Sequence, residues 1–193
     1  MFTGIIETIG ELVKVEKEQN NLHFHIRSPL AKELKIDQSL AHDGVCLTVV
    51  NIHGGVYTVT AVHETLKKST LGMWTIGRKI NLERAMKLGD RLDGHLVQGH
   101  VDQVGKCVGV EEQGGSWLFD FQFSSKTQNL IIEKGSLCIN GTSLTVFNVT
   151  ESSCRVAIIP YTYEHTNFHQ LKPGDQVNLE FDMIGKYVSK SKA

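Results

Sequence analysis

Residues 43–52, Asp43-Gly44-Val45-Cys46-Leu47-Thr48-Val49-Val50-Asn51-Ile52, return 97 positions later as residues 140–149, Asn140-Gly141-Thr142-Ser143-Leu144-Thr145-Val146-Phe147-Asn148-Val149. The same spacing carries Ser39-Leu40 to Ser136-Leu137, Thr65 to Thr162, Gly77 to Gly174, and Asn81-Leu82-Glu83 to Asn178-Leu179-Glu180. So many matches in one register identify an internal duplication, which organises the fold before any local reading does. Nearer the start, Gly4-Ile5-Ile6-Glu7-Thr8-Ile9-Gly10 matches Gly99-His100-Val101-Asp102-Gln103-Val104-Gly105 at a spacing of 95, so two extra residues enter the second copy. The central GHLVQGHVD, residues 94–102, therefore opens a second copy. The expected division is 1–93, 94–182 and a tail, 183–193.

Each copy reads as strands. Val45 to Val50 and Val56 to Thr60 are rich in β-branched residues and flank His53-Gly54-Gly55, a hairpin signal. Ser143 to Val149 and Arg155 to Ile159 repeat the pattern around Glu151-Ser152-Ser153. Apolar spacing moves toward the helical period at Pro29 to Leu34, Leu66 to Leu71 and Lys126 to Glu133. Many short strands in a unit of about 90 residues favour a small closed barrel, because closure removes exposed edges. In the tail, Met183, Ile184, Tyr187 and Val188 form an amphipathic stripe with no partner in its own barrel, which points to an oligomer contact.

The bulk numbers exclude more than they assign. The 193 residues are 40% hydrophobic and 21% charged with a formal net charge of -1, so neither nucleic acid nor an anionic membrane is an expected partner. The start lacks a basic region and no window approaches the apolar length of a membrane span, so a cytoplasmic protein is expected. Cys46, Cys107, Cys138 and Cys154 are scattered without a C-x-x-C pair, so a zinc ribbon is not expected. If residues 95–104 are largely strand, His95 and His100 point to opposite faces and cannot share an ion; no metal is expected.

His100 occupies in copy two the place of Ile5 in copy one, a titratable ring in an otherwise matching frame. Strand alternation puts Cys46 with Thr48, and Ser143 with Thr145, on one wall each, and such paired polar groups suit an amide-rich heterocycle. Lys134 reads by spacing as a solvated turn residue and Asp182 as a cap for the tail helix.

At MFTGII, GHLVQGHVD, the paired DGVCLTV and NGTSLTV, and the tail EFDMIGKYV, the sequence resembles the riboflavin synthase family of α-chain type over essentially its whole length. The resemblance implies an all-β fold of two tandem six-stranded Greek-key barrels with a C-terminal α-helix that assembles a homotrimer. It implies dismutation of two 6,7-dimethyl-8-ribityllumazine molecules, a four-carbon unit passing between them to give riboflavin and 5-amino-6-ribitylaminouracil, with no cofactor. The active site would form where the N-terminal barrel of one subunit meets the C-terminal barrel of its neighbour. Carried over, His100, Ser143, Cys46, Phe2 and Thr145 are the expected catalytic residues. Expected ligand-lining positions are Gly4, Ile5, Ile6, Cys46, Leu47, Thr48, Thr60, Ala61, Val62, His63, Glu64, Thr65, Gly99, His100, Val101, Lys134, Ser143, Leu144, Thr145, Ile159, Pro160, Tyr161, Thr162, Tyr163 and Glu164. Asp182 is expected at the subunit junction, and a lumazine synthase partner is left open. Two departures stand out: Asn140 where relatives often carry an acid, and Tyr161 where copy one has Glu64. The rival from another class is a non-catalytic lumazine- or flavin-binding antenna protein.

Overall fold

Twice along the chain, six antiparallel strands close into a barrel. The computed structural model describes residues 1–125 and 131–191. Barrel 1 comprises β1 (Thr8–Glu18), β2 (Asn21–Arg27), β3 (Ser39–His42), β4 (Val45–His53), β5 (Val56–Ala61), a short α1 (His63–Lys68) and β6 (Lys79–Arg84). Barrel 2 repeats it with β7 (Gln103–Glu112), β8 (Trp117–Gln122), β9 (Ser136–Ile139), β10 (Thr142–Phe147), β11 (Ser153–Ile158), α2 (Pro160–His165) and β12 (Gln176–Phe181). The tail follows as α3 (Met183–Lys190). Neighbour order around barrel 1 is β1-β2-β5-β4-β3-β6, and barrel 2 has the same order displaced by six strands. Strand β6 returns beside β3 after the β3-β4-β5 meander, which is the Greek-key connection.

Alternation builds each wall. Val45, Leu47 and Val49 point inward and are buried while Cys46 and Thr48 face out. The β4–β5 hairpin turns on Gly54 (φ 56°) and Gly55 (φ 83°), two consecutive positive φ angles that a side chain at either position would strain. Barrel 1 closes over Leu12, Phe24, Ile26, Leu40, Tyr57 and Leu82. Barrel 2 closes over an aromatic cluster in which Phe168 meets Phe119 edge-on at 5.3 Å.

A buried polar network joins the barrels. Asn167 Nδ2 donates to Asp43 Oδ1 (2.9 Å), Asn178 Nδ2 to the Asp43 carbonyl (2.9 Å), and Asn81 Nδ2 to the Asn140 carbonyl (2.8 Å). Gly44 and Gly141 stand back to back, so a Cβ on either would lie 2.8 Å from the other's nitrogen. Each unmade bond in such a setting costs about 1–3 kcal/mol, which makes the two barrels one body.

Local expectations shift in places. The 29–34 helix is a single 3₁₀ turn, Pro29–Lys32, capped by Ser28. The 66–71 helix is replaced by α1, which ends at Lys68, and a 3₁₀ turn, Thr70–Met73; the Ser69 hydroxyl donates to the Thr65 carbonyl and accepts from the Leu71 amide, diverting the backbone from a longer helix. Of the expected 126–133 helix, residues 126–130 lie outside the described residues and 131–133 are not helical. Residues 94–101 are not a strand: they make one isolated bridge, Phe2 to Val97, because their amides are taken by side chains and by the N-terminal segment. Among the described residues no helix is long and apolar enough to cross a membrane.

Candidate functional site

Each copy begins with a short lead segment, and each lead segment lies on the other copy's barrel. The Ser143 amide on β10 donates to the Gly4 carbonyl (2.8 Å), while the Cys46 amide on β4 donates to the Gly99 carbonyl (2.9 Å). The approach is close enough to require glycine: a Cβ at Gly4 (φ 77°) would lie 2.6 Å from Ser143 Cβ, and one at Gly99 (φ 82°) 2.5 Å from Cys46 Cβ. Residues expected to line ligand therefore sort into two groups. Residues 46–48, 60–65 and 99–101 gather on barrel 1; residues 4–6, 134, 143–145 and 159–164 gather on barrel 2.

Two buried carboxylates hold the lead segments. Glu83 accepts from the Thr3 amide (2.6 Å), the Thr3 hydroxyl (2.7 Å) and the Gly4 amide (3.0 Å). Glu180 accepts from the amides of Gln98 (2.6 Å), Gly99 (2.9 Å) and His100 (2.8 Å). Burial pushes both carboxyl groups up from the ordinary range, and the donated amides pull them back. Neither was singled out from the sequence, yet both stand in the repeated Asn-Leu-Glu triplet, and an acid kept at a strand position beside buried Leu82 and Leu179 was the available signal.

The polar strand residues then take distinct settings. Ser143 Oγ lies 2.6 Å from His95 Nδ1. Burial pushes the His95 imidazole below its ordinary range, against the pull of the Asp182 carboxylate, so the neutral ring persists at neutral pH. With Nδ1 unprotonated, His95 can accept the Ser143 proton. The sequence offers this ring only as a metal ligand, because residue 95 lies before the matched frames and has no counterpart in copy one. His100 is exposed, as is its counterpart Ile5, and its backbone belongs with Cys46 on barrel 1, not with Ser143.

Remaining expected residues divide by what they present. Thr48 and Thr145 are exposed on the outer walls, whereas Leu47 and Ala61 point into the barrel core, and Leu144 packs against its own core. Phe2 is fully buried between the barrels with Ala41, Val97 and Cys138, its ring packed beneath the Gly99 turn. Thr60 Oγ1 bonds His23 Nδ1 (2.8 Å), and His23 Nε2 bonds Glu18 (3.1 Å). Barrel 2 has Ala157 and Leu118 paired at the matching positions. Val62, His63, Glu64, Ile159, Pro160, Tyr161 and Glu164 are exposed beside α1 and α2, and Tyr163 stacks on Trp117 at 3.8 Å. Lys134 is an exposed turn residue (φ 62°), and Asp182 caps α3 through the Ile184 amide (2.9 Å). Asn140, the departure from an expected acid, is buried in the inter-barrel network away from both polar walls.

A concavity of about 690 Å³ runs beside Thr3, Ile5, Glu83, Arg84, Ala85, Met86, Lys87, Asp90, Arg91 and Asp93, and neither Cys46 nor Ser143 lines it. The two polar walls are thus open outer surfaces of the barrels.

A sequence profile described as the Lumazine binding domain matches residues 3–85 and 98–182. Riboflavin synthase of Bacillus subtilis is 36% identical over 189 residues, 97% of this chain and 88% of the relative. Riboflavin synthase of Actinobacillus pleuropneumoniae is 38% identical, covering 98% and 89%, and that of Brucella abortus 37%, covering 98% and 97%. Among solved structures, LumP complexed with riboflavin superposes with a TM-score of 0.88 at 22% identity, covering 94% of this chain and 99% of that one. LumP complexed with 6,7-dimethyl-8-(1'-D-ribityl) lumazine gives 0.85 at 21% identity over the same shares, a likeness of fold.

Proposed function

The chain belongs to the riboflavin synthase family of lumazine-binding proteins, and on that premise we propose that it dismutates two 6,7-dimethyl-8-ribityllumazine molecules into riboflavin and 5-amino-6-ribitylaminouracil. The observation that carries this reading is the reciprocal crossing of the lead segments, which builds two like but unequal walls, Cys46/Thr48 with residues 99–101 and Ser143/Thr145 with residues 4–6. A reaction between two copies of one molecule needs two such pockets. Orienting the pair can supply about 7–11 kcal/mol of barrier reduction.

Within each pocket the residues take separate tasks. Ser143, its proton drawn by His95, supplies or activates the oxygen nucleophile at C7 in the barrel 2 pocket, and Cys46 is its counterpart on barrel 1. His100 moves a proton at the 7-methyl group or orients the hydroxyl that adds at C7. Thr48 and Thr145 hold polar edges of the heterocycle, and Phe2 works indirectly by placing Gly99. Both walls are open in the single chain, which supports a site completed by a neighbour's barrel in a homotrimer that α3 assembles through exposed Ile184 and Tyr187. The ligands are lumazine and riboflavin, without a cofactor.

Incubation with 6,7-dimethyl-8-ribityllumazine alone tests the reading. One riboflavin formed for two lumazines consumed supports it; stable lumazine fluorescence on tight binding, with no product, moves the protein to the antenna class. Sedimentation tests the shared site, since an active monomer contradicts it.

A further inference from the structure

In both copies the residue three places after Ile5 or His100 on the chain's path into the barrel region is preceded by an acid, Glu7 or Asp102, that locks the lead segment to the closing strand. The Glu7 amide donates to the Leu82 carbonyl (2.9 Å) and the Asp102 amide to the Leu179 carbonyl (2.9 Å). In return Glu7 Oε1 accepts from the Arg84 amide (2.6 Å), and Asp102 Oδ2 accepts from the Phe181 amide (2.8 Å). The acid is one methylene shorter in copy two, and its cation comes from elsewhere in the chain. Copy one uses Arg84 of β6 itself, whose guanidinium grips Glu7 (2.6 Å) and reaches Glu33 (2.7 Å). Copy two uses Lys186, from outside the barrel on α3, at 2.5 Å from Asp102 Oδ2.

From this asymmetry we infer that the Lys186–Asp102 pair is a positioning latch through which the C-terminal helix holds the His100 segment on the barrel 1 pocket. Both side chains are only about a quarter exposed, at 25% and 23%, so the pair is better shielded than a surface ion pair. The Lys186 charge also favours the ionised form of Glu180, the carboxylate that accepts the His100 amide. Asp182, one turn earlier, caps the same helix, and its charge favours the protonated form of His95. The opposite side of α3 exposes Ile184, Tyr187 and Val188. The inference rests on the catalytic reading of His100, and its test includes a readout independent of turnover.

The test compares Lys186→Met, Lys186→Arg and, as a control one turn on, Lys190→Met in the full chain. Hydrogen exchange is followed at the amides of residues 98–101, with residues 3–6, held by Glu83, as the internal reference. Lys186→Met should speed exchange at 98–101 about tenfold and lower kcat about tenfold, with KM within about twofold and sedimentation unchanged. Lys186→Arg should restore both, and residues 3–6 should not respond. Unchanged exchange at 98–101 in Lys186→Met overturns the latch, as does a kcat loss that vanishes when protein concentration is raised to restore the assembly. If Lys186→Met does not fold, Asp102→Asn, which keeps an acceptor for Phe181 and removes the charge, gives the same reading. A wild type that binds lumazine without turnover would defeat the enzymatic reading, while the exchange comparison still decides the latch.

Discussion

Barrel 1 buries His42 against Tyr57, with Nε2 and the phenol oxygen 2.9 Å apart, where barrel 2 has Ile139 and Cys154. Barrel 1 meets its buried Asp43 with Arg78 at 3.0 Å, where barrel 2 has Asn140 and, at Arg78's place, Asp175. Outside, barrel 1 carries Cys46, the Thr60–His23–Glu18 chain and His100; barrel 2 carries Ser143 with His95. The backbone is nearly repeated while the polar groups are not. The difference teaches that shared hydrogen-bond geometry fixes two like walls, and that a handful of side chains on either side of a common frame makes them chemically unequal.

The widest gap between the barrels should appear in turnover. Ser143→Ala is expected to lower kcat about 100-fold or more, and Cys46→Ala about tenfold, measured by riboflavin formation at saturating lumazine. Equal losses would erase the division of labour. His95→Gln should resemble Ser143→Ala, and its activity should no longer fall on the acid side where the wild-type ring becomes protonated.

Crossing of the lead segments can be broken at either glycine. Gly4→Ala and Gly99→Ala each force a side chain into positive φ and into contact below 3.0 Å, so each should destabilise by about 2–5 kcal/mol in denaturant unfolding. A neutral result at one would show that its segment can leave the opposite barrel.

Acid should separate the barrels next. Burial holds the His42 imidazole down at about 4, so the ring is neutral in the folded chain while the unfolded chain's ring takes a proton near pH 6.5. Stability present above pH 6.5 is therefore lost as pH falls toward 4, by about 3 kcal/mol in all. Replacing His42 by Ile together with Tyr57→Phe, to give barrel 1 the apolar character of barrel 2, should flatten that part of the stability profile; an unaltered slope between pH 6.5 and 4 would assign the acid sensitivity elsewhere.

The smallest effect is expected at the inter-barrel seam. Asn140→Asp restores an acid beside Gly141 but buries it without a matching arginine, and should cost about 1–3 kcal/mol in thermal or denaturant unfolding. Stabilisation instead would mean that Asn140 is the defect and not the adaptation.

Much of this organisation was legible in the residues. The repeat at spacings of 97 and 95, the alternation around Cys46 and Ser143, and the glycine hairpin anticipated two closed barrels with each polar pair on a single wall; that this wall faces outward is seen only in the fold. Alternation is a local consequence of strand geometry and needs no knowledge of partners. Residues 94–101 were less legible. A strand over 95–104 fails in its first part because the amides of Gln98, Gly99 and His100 are satisfied by Glu180, some 80 residues away, and so join no ladder.

By itself, then, the sequence determined the duplication, the barrel class, the faces of the polar strands and the family. Tertiary structure alone decided that His100 belongs with Cys46, that His95 belongs with Ser143, that Glu83 and Glu180 hold the lead segments, and that Lys186 reaches Asp102. The physical reason is range. Strand periodicity is written between neighbours, whereas these pairings depend on how two closed barrels pack across Gly44 and Gly141, which brings each copy's opening residues onto the other copy's wall.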